Sequence, residues 1–229
     1  MNYNILATGS DGNATIINDT ILIDCGMPYK TIRPYAKQLR LVLMTHQHSD
    51  HFRPSTVAML AYQRPALRWG CCAWMVQDLV KAGVNRTQID VLEPDMLTVY
   101  AGVSVIPVKL THNVENCGYK IYADGQSLFY ATDTGTLDGI TAKGFDLYLV
   151  EANHVQADIE ARAAAKLAAG EFSYEIRAAE NHLSFEQARD WLAENMGPSS
   201  IWVPMHEHKG KRVCDDGRAP DVHQESDGR

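Results

Sequence analysis

No run in the 229 residues approaches the roughly 18 uncharged apolar positions that a membrane-spanning helix needs, so none is expected. The opening Met1-Asn2-Tyr3-Asn4 has no basic stretch leading into an apolar one, and no secretory signal is expected. Cysteine is scarce. There are five, an odd number, with Cys71 and Cys72 adjacent and no C-x-x-C spacing. That argues against a disulfide framework and against a thiolate zinc site, and points to a reducing, cytoplasmic setting. Basic charge is in deficit, with 21 Lys+Arg against 28 Asp+Glu and a formal net charge of −7. Broad, nonspecific nucleic-acid affinity rests on neutralising phosphates, so the surface as a whole is unsuited to it. A local basic or metal-bearing site stays compatible with this balance, although no convincing basic stripe is visible. Internal repeats and low-complexity blocks are absent. What remains, 45% hydrophobic and 21% charged, is the composition of a globular chain that can bury one core.

The first half reads as short strands broken by turns. Residues 5–7 lead into the turn-rich Gly9-Ser10-Asp11-Gly12-Asn13, and 15–17 and 21–23 read as a hairpin around Asn18-Asp19-Thr20. Pro28 at its start suits a helix over 28–39, and the apolar run 41–44 suits a buried strand. Helical patterns follow over 54–63 and around 75–80. Strands are expected over 89–92, 97–100, 103–108, 118–122, 127–131 and 147–150, with Asp124-Gly125 as a two-residue hairpin turn. Tyr119, Tyr122, Tyr130 and Trp202 are expected in the core. Helices are expected over 155–167 and over 185–196, the second capped by Ser184, before a last strand at 201–203. The expected organisation is one domain over residues 1–208 and a polar tail over 209–229. Periodicity alone supports only a mixed α and β fold.

The chemistry concentrates in Thr45-His46-Gln47-His48-Ser49-Asp50-His51, directly after the apolar run 41–44. Three histidines and an aspartate within six positions make an H-x-H-x-D-H pattern. In extended chain, residues two apart point the same way, so His46 and His48 can grip one ion. Once the chain turns, Asp50 and His51 project to a second position. Imidazole and carboxylate donors suit zinc and also accept manganese or iron. Further polar residues follow distant apolar runs: Asp24 after 21–23, His112 after 103–108, Asp133 after 127–131, and His206 and His208 after 201–203. One polar residue beyond each apolar strand is what a site at one edge of a sheet pair requires. His206, as the first after its strand, is taken as the donor ahead of His208.

These residues, from Asp24 through H-x-H-x-D-H, His112 and Asp133 to His206, resemble the metallo-β-lactamase superfamily. The resemblance covers roughly residues 3–208. It implies a four-layer αββα sandwich and a two-metal hydrolase. By it, His46, His48 and His112 bind one metal, Asp50, His51 and His206 the second, and Asp133 bridges both, with Asp24 supporting the ligands. An aspartate at 133, where true β-lactamases usually carry cysteine, is similar to nucleases and phosphodiesterases of the superfamily. Gly9-Ser10-Asp11-Gly12-Asn13-Ala14 resembles the opening of the YycJ-type exonuclease-like branch. Val150-Glu151-Ala152-Asn153-His154 and Asn181-His182-Leu183-Ser184 resemble stretches of that branch and of the ribonuclease Z-like one. Asn181 stands in place of the usual glycine and Phe185 in place of the usual asparagine, and the insertions that dock tRNA are not apparent.

The resemblance implies that His182 contacts the scissile phosphate and Glu151 holds His182. A metal-bridging hydroxide would attack phosphorus, with Asp50 or Asp133 accepting a proton and His182 donating one. The expected substrate is DNA. A small phosphodiester, or a thioester or lactone, is the alternative, and a metal-holding module without turnover is a third.

Overall fold

A computed structural model describes residues 1–173 and 175–207. The expected tail over 209–229, and His208, lie outside the described residues. Strands β1 (Tyr3–Ala7), β2 (Ala14–Ile17), β3 (Ile21–Ile23), β4 (Leu41–Met44), β5 (Arg68–Cys71) and β6 (Ile89–Val91) form one sheet in chain order. Strands β7 (Thr98–Tyr100), β8 (Val103–Leu110), β9 (Asn116–Ala123), β10 (Gln126–Ala131), β11 (Leu147–Glu151) and β12 (Ile201–Met205) form the other, also in chain order. Helices α1 (Tyr29–Ile32), α2 (Pro54–Gln63) and α3 (Val76–Lys81) accompany the first sheet, and α4 (Gln156–Ala168), α5 (Glu175–Asn181) and α6 (Phe185–Asn195) the second.

Period-two alternation builds the layers. In β4, Leu41 and Leu43 face the interior shared by the two sheets, while Val42 and Met44 face the cluster formed with α1, α2 and α3. In β10, Leu128 and Tyr130 face the shared interior, while Phe129 and Ala131 pack toward α6. β11 repeats this with Leu147 and Leu149 on one side and Tyr148 and Val150 on the other. Each strand is buried on both faces, so its sequence is a continuous apolar run. Three stacked apolar layers between helix, sheet, sheet and helix make the expected αββα sandwich. Each fully buried leucine or isoleucine contributes about 1.5–3 kcal/mol of burial.

Strands β3, β4, β5 and β6 run parallel to one another, as do β10, β11 and β12. Parallel strands present their C-terminal ends on one edge, where the loops that follow can converge. The hairpin turns appear where expected: Asn18 and Asp19 have φ of 46° and 57°, and Asp124 and Gly125 have 53° and 73°.

Three local expectations are corrected. The helix over 28–39 is regular only over 29–32, because Pro34 has no N–H to donate, and the chain continues in tight turns to residue 38. Strand β5 and helix α5 were not expected. Arg68-Trp69-Gly70-Cys71 lacks a β-branched run, and α5 buries only Glu175 among its described side chains. Tyr119 and Tyr130 are fully buried, but Tyr122 is 38% exposed because it lies on the face of β9 opposite Tyr119 and Ile121, against Phe145.

Candidate metal centre

The C-terminal strand ends bring the expected residues together. Asp24 follows β3, His46 to His51 follow β4, His112 follows β8, Asp133 follows β10, Glu151 ends β11 and His206 follows β12. Asp24, Asp133 and His206 have φ of 62°, 57° and 54°, in the left-handed region that side chains seldom adopt. The abrupt turn there aims each side chain back across the sheet edge, at a cost of about 1–2 kcal/mol per residue. Gly26 permits the loops to close: a Cβ on it would lie 1.7 Å from the Asp50 carbonyl oxygen.

His46, His48 and His112 form one donor group. His48 Nδ1 lies 3.2 Å from His46 Nε2 and 3.3 Å from His112 Nε2. Tetrahedral zinc with bonds of about 2.0–2.1 Å separates its nitrogens by about 3.3–3.4 Å, so this spacing fits one ion. The far nitrogens are held. His112 Nδ1 donates to the Asn181 carbonyl at 3.1 Å, and His46 Nδ1 meets Thr45 Oγ1 at 3.0 Å, which itself donates to Asp24. These bonds leave each Nε2 free to accept. Burial holds the pKa values of both His46 and His112 down, so the rings are neutral, as ligation needs.

Asp50, His51, Asp133 and His206 form the second group. His51 Nε2 is 2.7 Å from Asp133 Oδ2, and His206 Nε2 is 3.4 Å from Asp133 Oδ1 and 3.6 Å from Asp50 Oδ2. His206 Nε2 is buried without a hydrogen-bond partner. Buried polar atoms are seldom left so, and a cation beside it would satisfy it. Burial alone disfavours the charged form of His206, but Asp133, Asp50 and Glu151 outweigh it and push its pKa up to about 10. Burial likewise opposes charge on His51, yet Asp133 and Asp24 hold its pKa well above the usual value. Burial would raise Asp133, but His51 and His206 hold it well below the usual carboxylate range. This surplus of carboxylate holds protons where it can equally hold a metal ion.

Asp24 is fully buried, and burial pushes its pKa up against the pull of His51. It accepts from His51 Nδ1 at 2.7 Å and from the Thr45 amide at 2.9 Å, so it orients donors on both groups.

Beside the second group, His182 Nδ1 is 2.6 Å from Glu151 Oε1, and Glu151 Oε2 accepts from the Thr134 amide at 3.0 Å. Glu151 is wholly buried. Asp133, Glu151, His182 and His206 also lie close enough to hold an ion, but Glu151 is already engaged through both oxygens. Burial opposes charge on His182, and Glu151 more than offsets it, so its pKa is raised. The His182 side chain keeps 19% exposure. Ser184 caps α6 in a reciprocal pair with Gln187, which fixes the chain two residues beyond His182.

Asn13 and Asn153 exceed what their sequence positions suggested. Asn13 Nδ2 reaches His51 Nε2 at 2.8 Å, and Asn153 Nδ2 reaches His206 Nδ1 at 3.2 Å and the His206 carbonyl at 2.8 Å. Both stand in stretches that carry the family resemblance, but only the folded chain brings them to the centre.

The family model described as a beta-lactamase superfamily domain matches residues 19–206. The chain belongs to that superfamily. It is a hydrolase of the metallo-β-lactamase fold. It is 25% identical over 215 residues to exodeoxyribonuclease WalJ of Streptococcus pneumoniae serotype 2, covering 85% of this chain and 77% of WalJ. It is 24% identical over 169 residues to exodeoxyribonuclease YycJ of Bacillus anthracis, covering 67% of this chain and 63% of YycJ. Among solved structures, the metallo-β-lactamase-fold protein YhfI of Bacillus subtilis superposes with a TM-score of 0.70 at 15% identity, covering 94% of this chain and 88% of YhfI. Among the described residues, no helix is long and apolar enough to cross a membrane.

Proposed function

We propose that this hydrolase is a two-metal phosphodiesterase that cleaves DNA as a nuclease in the reducing cytoplasm. The observation that carries the reading is the 2.6 Å contact between His182 and buried Glu151 beside the group of Asp50, His51, Asp133 and His206. In this reading His46, His48 and His112 would hold one ion and Asp50, His51 and His206 the other, with Asp133 as the shared ligand. Two divalent ions there, zinc ahead of manganese or iron, would supply positive charge to a phosphoryl group and acidify water.

The chain's own groups handle the protons. Asp50 or Asp133 accepts a proton from the attacking water as its oxygen bonds to phosphorus. Glu151 accepts from His182 Nδ1 and so keeps that ring protonated and fixed in direction. His182 Nε2 donates to the departing ester oxygen as the P–O bond breaks. A thioester or lactone has no phosphoryl oxygens for a second cationic group to meet, so His182 favours the phosphoester. The relatives named exodeoxyribonuclease favour DNA among phosphoesters.

Metal analysis followed by a substrate panel tests this. Metal content near two per chain is expected, with turnover of single- or double-stranded DNA and of bis-p-nitrophenyl phosphate. Hydrolysis confined to a thioester and a lactam would reject the phosphodiesterase reading, and cleavage of RNA alone would reject DNA.

A further inference from the structure

Charge in this acidic chain is segregated. Between Cys25 and Gln77 lie seven of its 21 Lys+Arg and one of its 28 Asp+Glu, Asp50. Folding sorts the seven further. Ile32, Ala36 and Leu39 point into the first helical layer, while Lys30, Arg33, Lys37 and Arg40, three or four positions apart, are exposed. Backbone bonds from Arg33 to Tyr29, Tyr35 to Ile32, Ala36 to Arg33 and Gln38 to Tyr35 keep the chain coiled beyond α1. Arg40, beyond that coil, is held by its amide to the Thr20 carbonyl at 2.8 Å, and all four cations are exposed.

Helix α2 lies alongside. Thr56 donates to the Met27 carbonyl at 2.7 Å, and Arg64 donates to the carbonyls of Lys37 and Leu39. α2 has ten residues, a length of about 15 Å. At its start stands exposed Arg53, two residues beyond His51 and bonded through its amide to the Cys25 carbonyl. Near its end stands Tyr62, 85% exposed. Because β3 ends at the metal centre and the parallel β4 begins at the opposite edge, the segment between them runs from the centre down the outer face.

Ion pairs engage five other cations, while Arg64, Arg86, Lys120, Lys143, Arg162 and Arg177, among the described residues, face no carboxylate, as in the strip. Arg68, Lys81, Lys109, Lys166 and Arg189 each face a carboxylate, namely Asp90, Asp78, Glu115, Glu175 and Asp190. Among the described residues, none of Lys30, Arg33, Lys37, Arg40 and Arg53 does. Unrelieved like charge on one face costs stability, yet a polyanion would relieve it.

We infer that this strip, Lys30, Arg33, Lys37 and Arg40 with Arg53 at the centre's rim and Tyr62 beside it, binds the backbone of single-stranded nucleic acid outside the metal centre. The inference rests on the proposed nuclease reading and narrows it to a polymer. A small phosphodiester in the centre does not extend about 15 Å down the helices. Cations tracking a backbone beside an exposed aromatic ring are the pattern of sequence-tolerant single-strand binding. Continuity with the centre through Arg53 favours this occupant over an anionic membrane.

The test uses the metal-loaded full chain and the variant K30Q/R33Q/K37Q/R40Q, whose altered side chains are all exposed. Kinetics are measured on a 30-nucleotide single strand and on bis-p-nitrophenyl phosphate across a salt series. For the oligonucleotide, KM is expected to rise at least about tenfold at low salt, with the slope of log affinity against log salt shallower by about 3, from ~0.7 per lost cation. Turnover of bis-p-nitrophenyl phosphate is expected to be unchanged. Tyr62→Ala is expected to raise the oligonucleotide KM and leave the slope alone. The half-variants K30Q/R33Q and K37Q/R40Q, each expected to show about half the slope change, keep the test valid should the fourfold variant not fold.

Unchanged oligonucleotide KM and slope would overturn the inference. So would salt-sensitive binding to phosphatidylglycerol vesicles that the fourfold variant loses while its oligonucleotide KM stands. Should the wild type hydrolyse no phosphodiester, the proposed function fails, and anisotropy of a labelled oligonucleotide decides the strip separately. Binding lost in the variant supports it, and no binding by the wild type overturns it.

Discussion

Replacing Glu151 by glutamine removes one buried negative charge and keeps the side chain's shape. Glu151 accepts from His182 Nδ1 at 2.6 Å inside a fully buried pocket. A hydrogen bond to a charged acceptor contributes about 1.5–3 kcal/mol, against about 1 kcal/mol for a neutral one. The substitution should therefore cost about 1–2 kcal/mol of His182 positioning in the transition state, roughly five- to thirty-fold in kcat. Glu151 also raises the pKa of His182, so its neutral replacement makes the ring lose its proton at lower pH. A general acid must be protonated, so activity falls as pH rises through that pKa. The alkaline limb of the kcat profile should accordingly move to lower pH in Glu151→Gln. The assay is a pH series of kcat on bis-p-nitrophenyl phosphate, with metal content measured in parallel. Unchanged kcat and an unmoved alkaline limb, with both ions retained, would refute the role given to the pair.

Four further outcomes are expected. The His206 pKa of about 10 means that its ring holds a proton at pH 8, which an arriving ion must displace. Filling the Asp50, His51, Asp133 and His206 group should then release protons to an indicator in weakly buffered solution, and its affinity should rise with pH up to about 10. Asn153→Ala should weaken that ion about 10- to 100-fold in chelator competition, because the amide orients His206. Asp133→Asn should bring metal content below two per chain by elemental analysis, since Asp133 lies in the groups that include His51 and His206. Gly26→Ala forces a carbon to 1.7 Å from the Asp50 carbonyl oxygen. It should cost about 1–3 kcal/mol and lower Tm by roughly 2–12 °C.

Much of the centre was legible because its donors are local or repeat one device. His46, His48, Asp50 and His51 fall within six positions, and Asp24, His112, Asp133 and His206 each follow an apolar strand closely. The contacts of the supporting asparagines were not legible, since Asn13 and Asn153 touch His51 and His206 across 38 and 53 residues of chain. The basic strip was missed for a related reason. Its cations are separated by the apolar residues that bury the opposite face, so no basic run marks the strip in the sequence.

The sequence by itself determined the donor types, the strands that deliver them and the turns that reverse the chain, because side-chain chemistry and turn preference are local properties. Which face of each doubly buried strand meets which layer was decided only in the tertiary structure, because a continuous apolar run carries no alternation to read. The same holds for the distances. His48 Nδ1 and His112 Nε2, 3.3 Å apart, come from loops 64 residues distant, and only two packed sheets fix them at the spacing an ion requires.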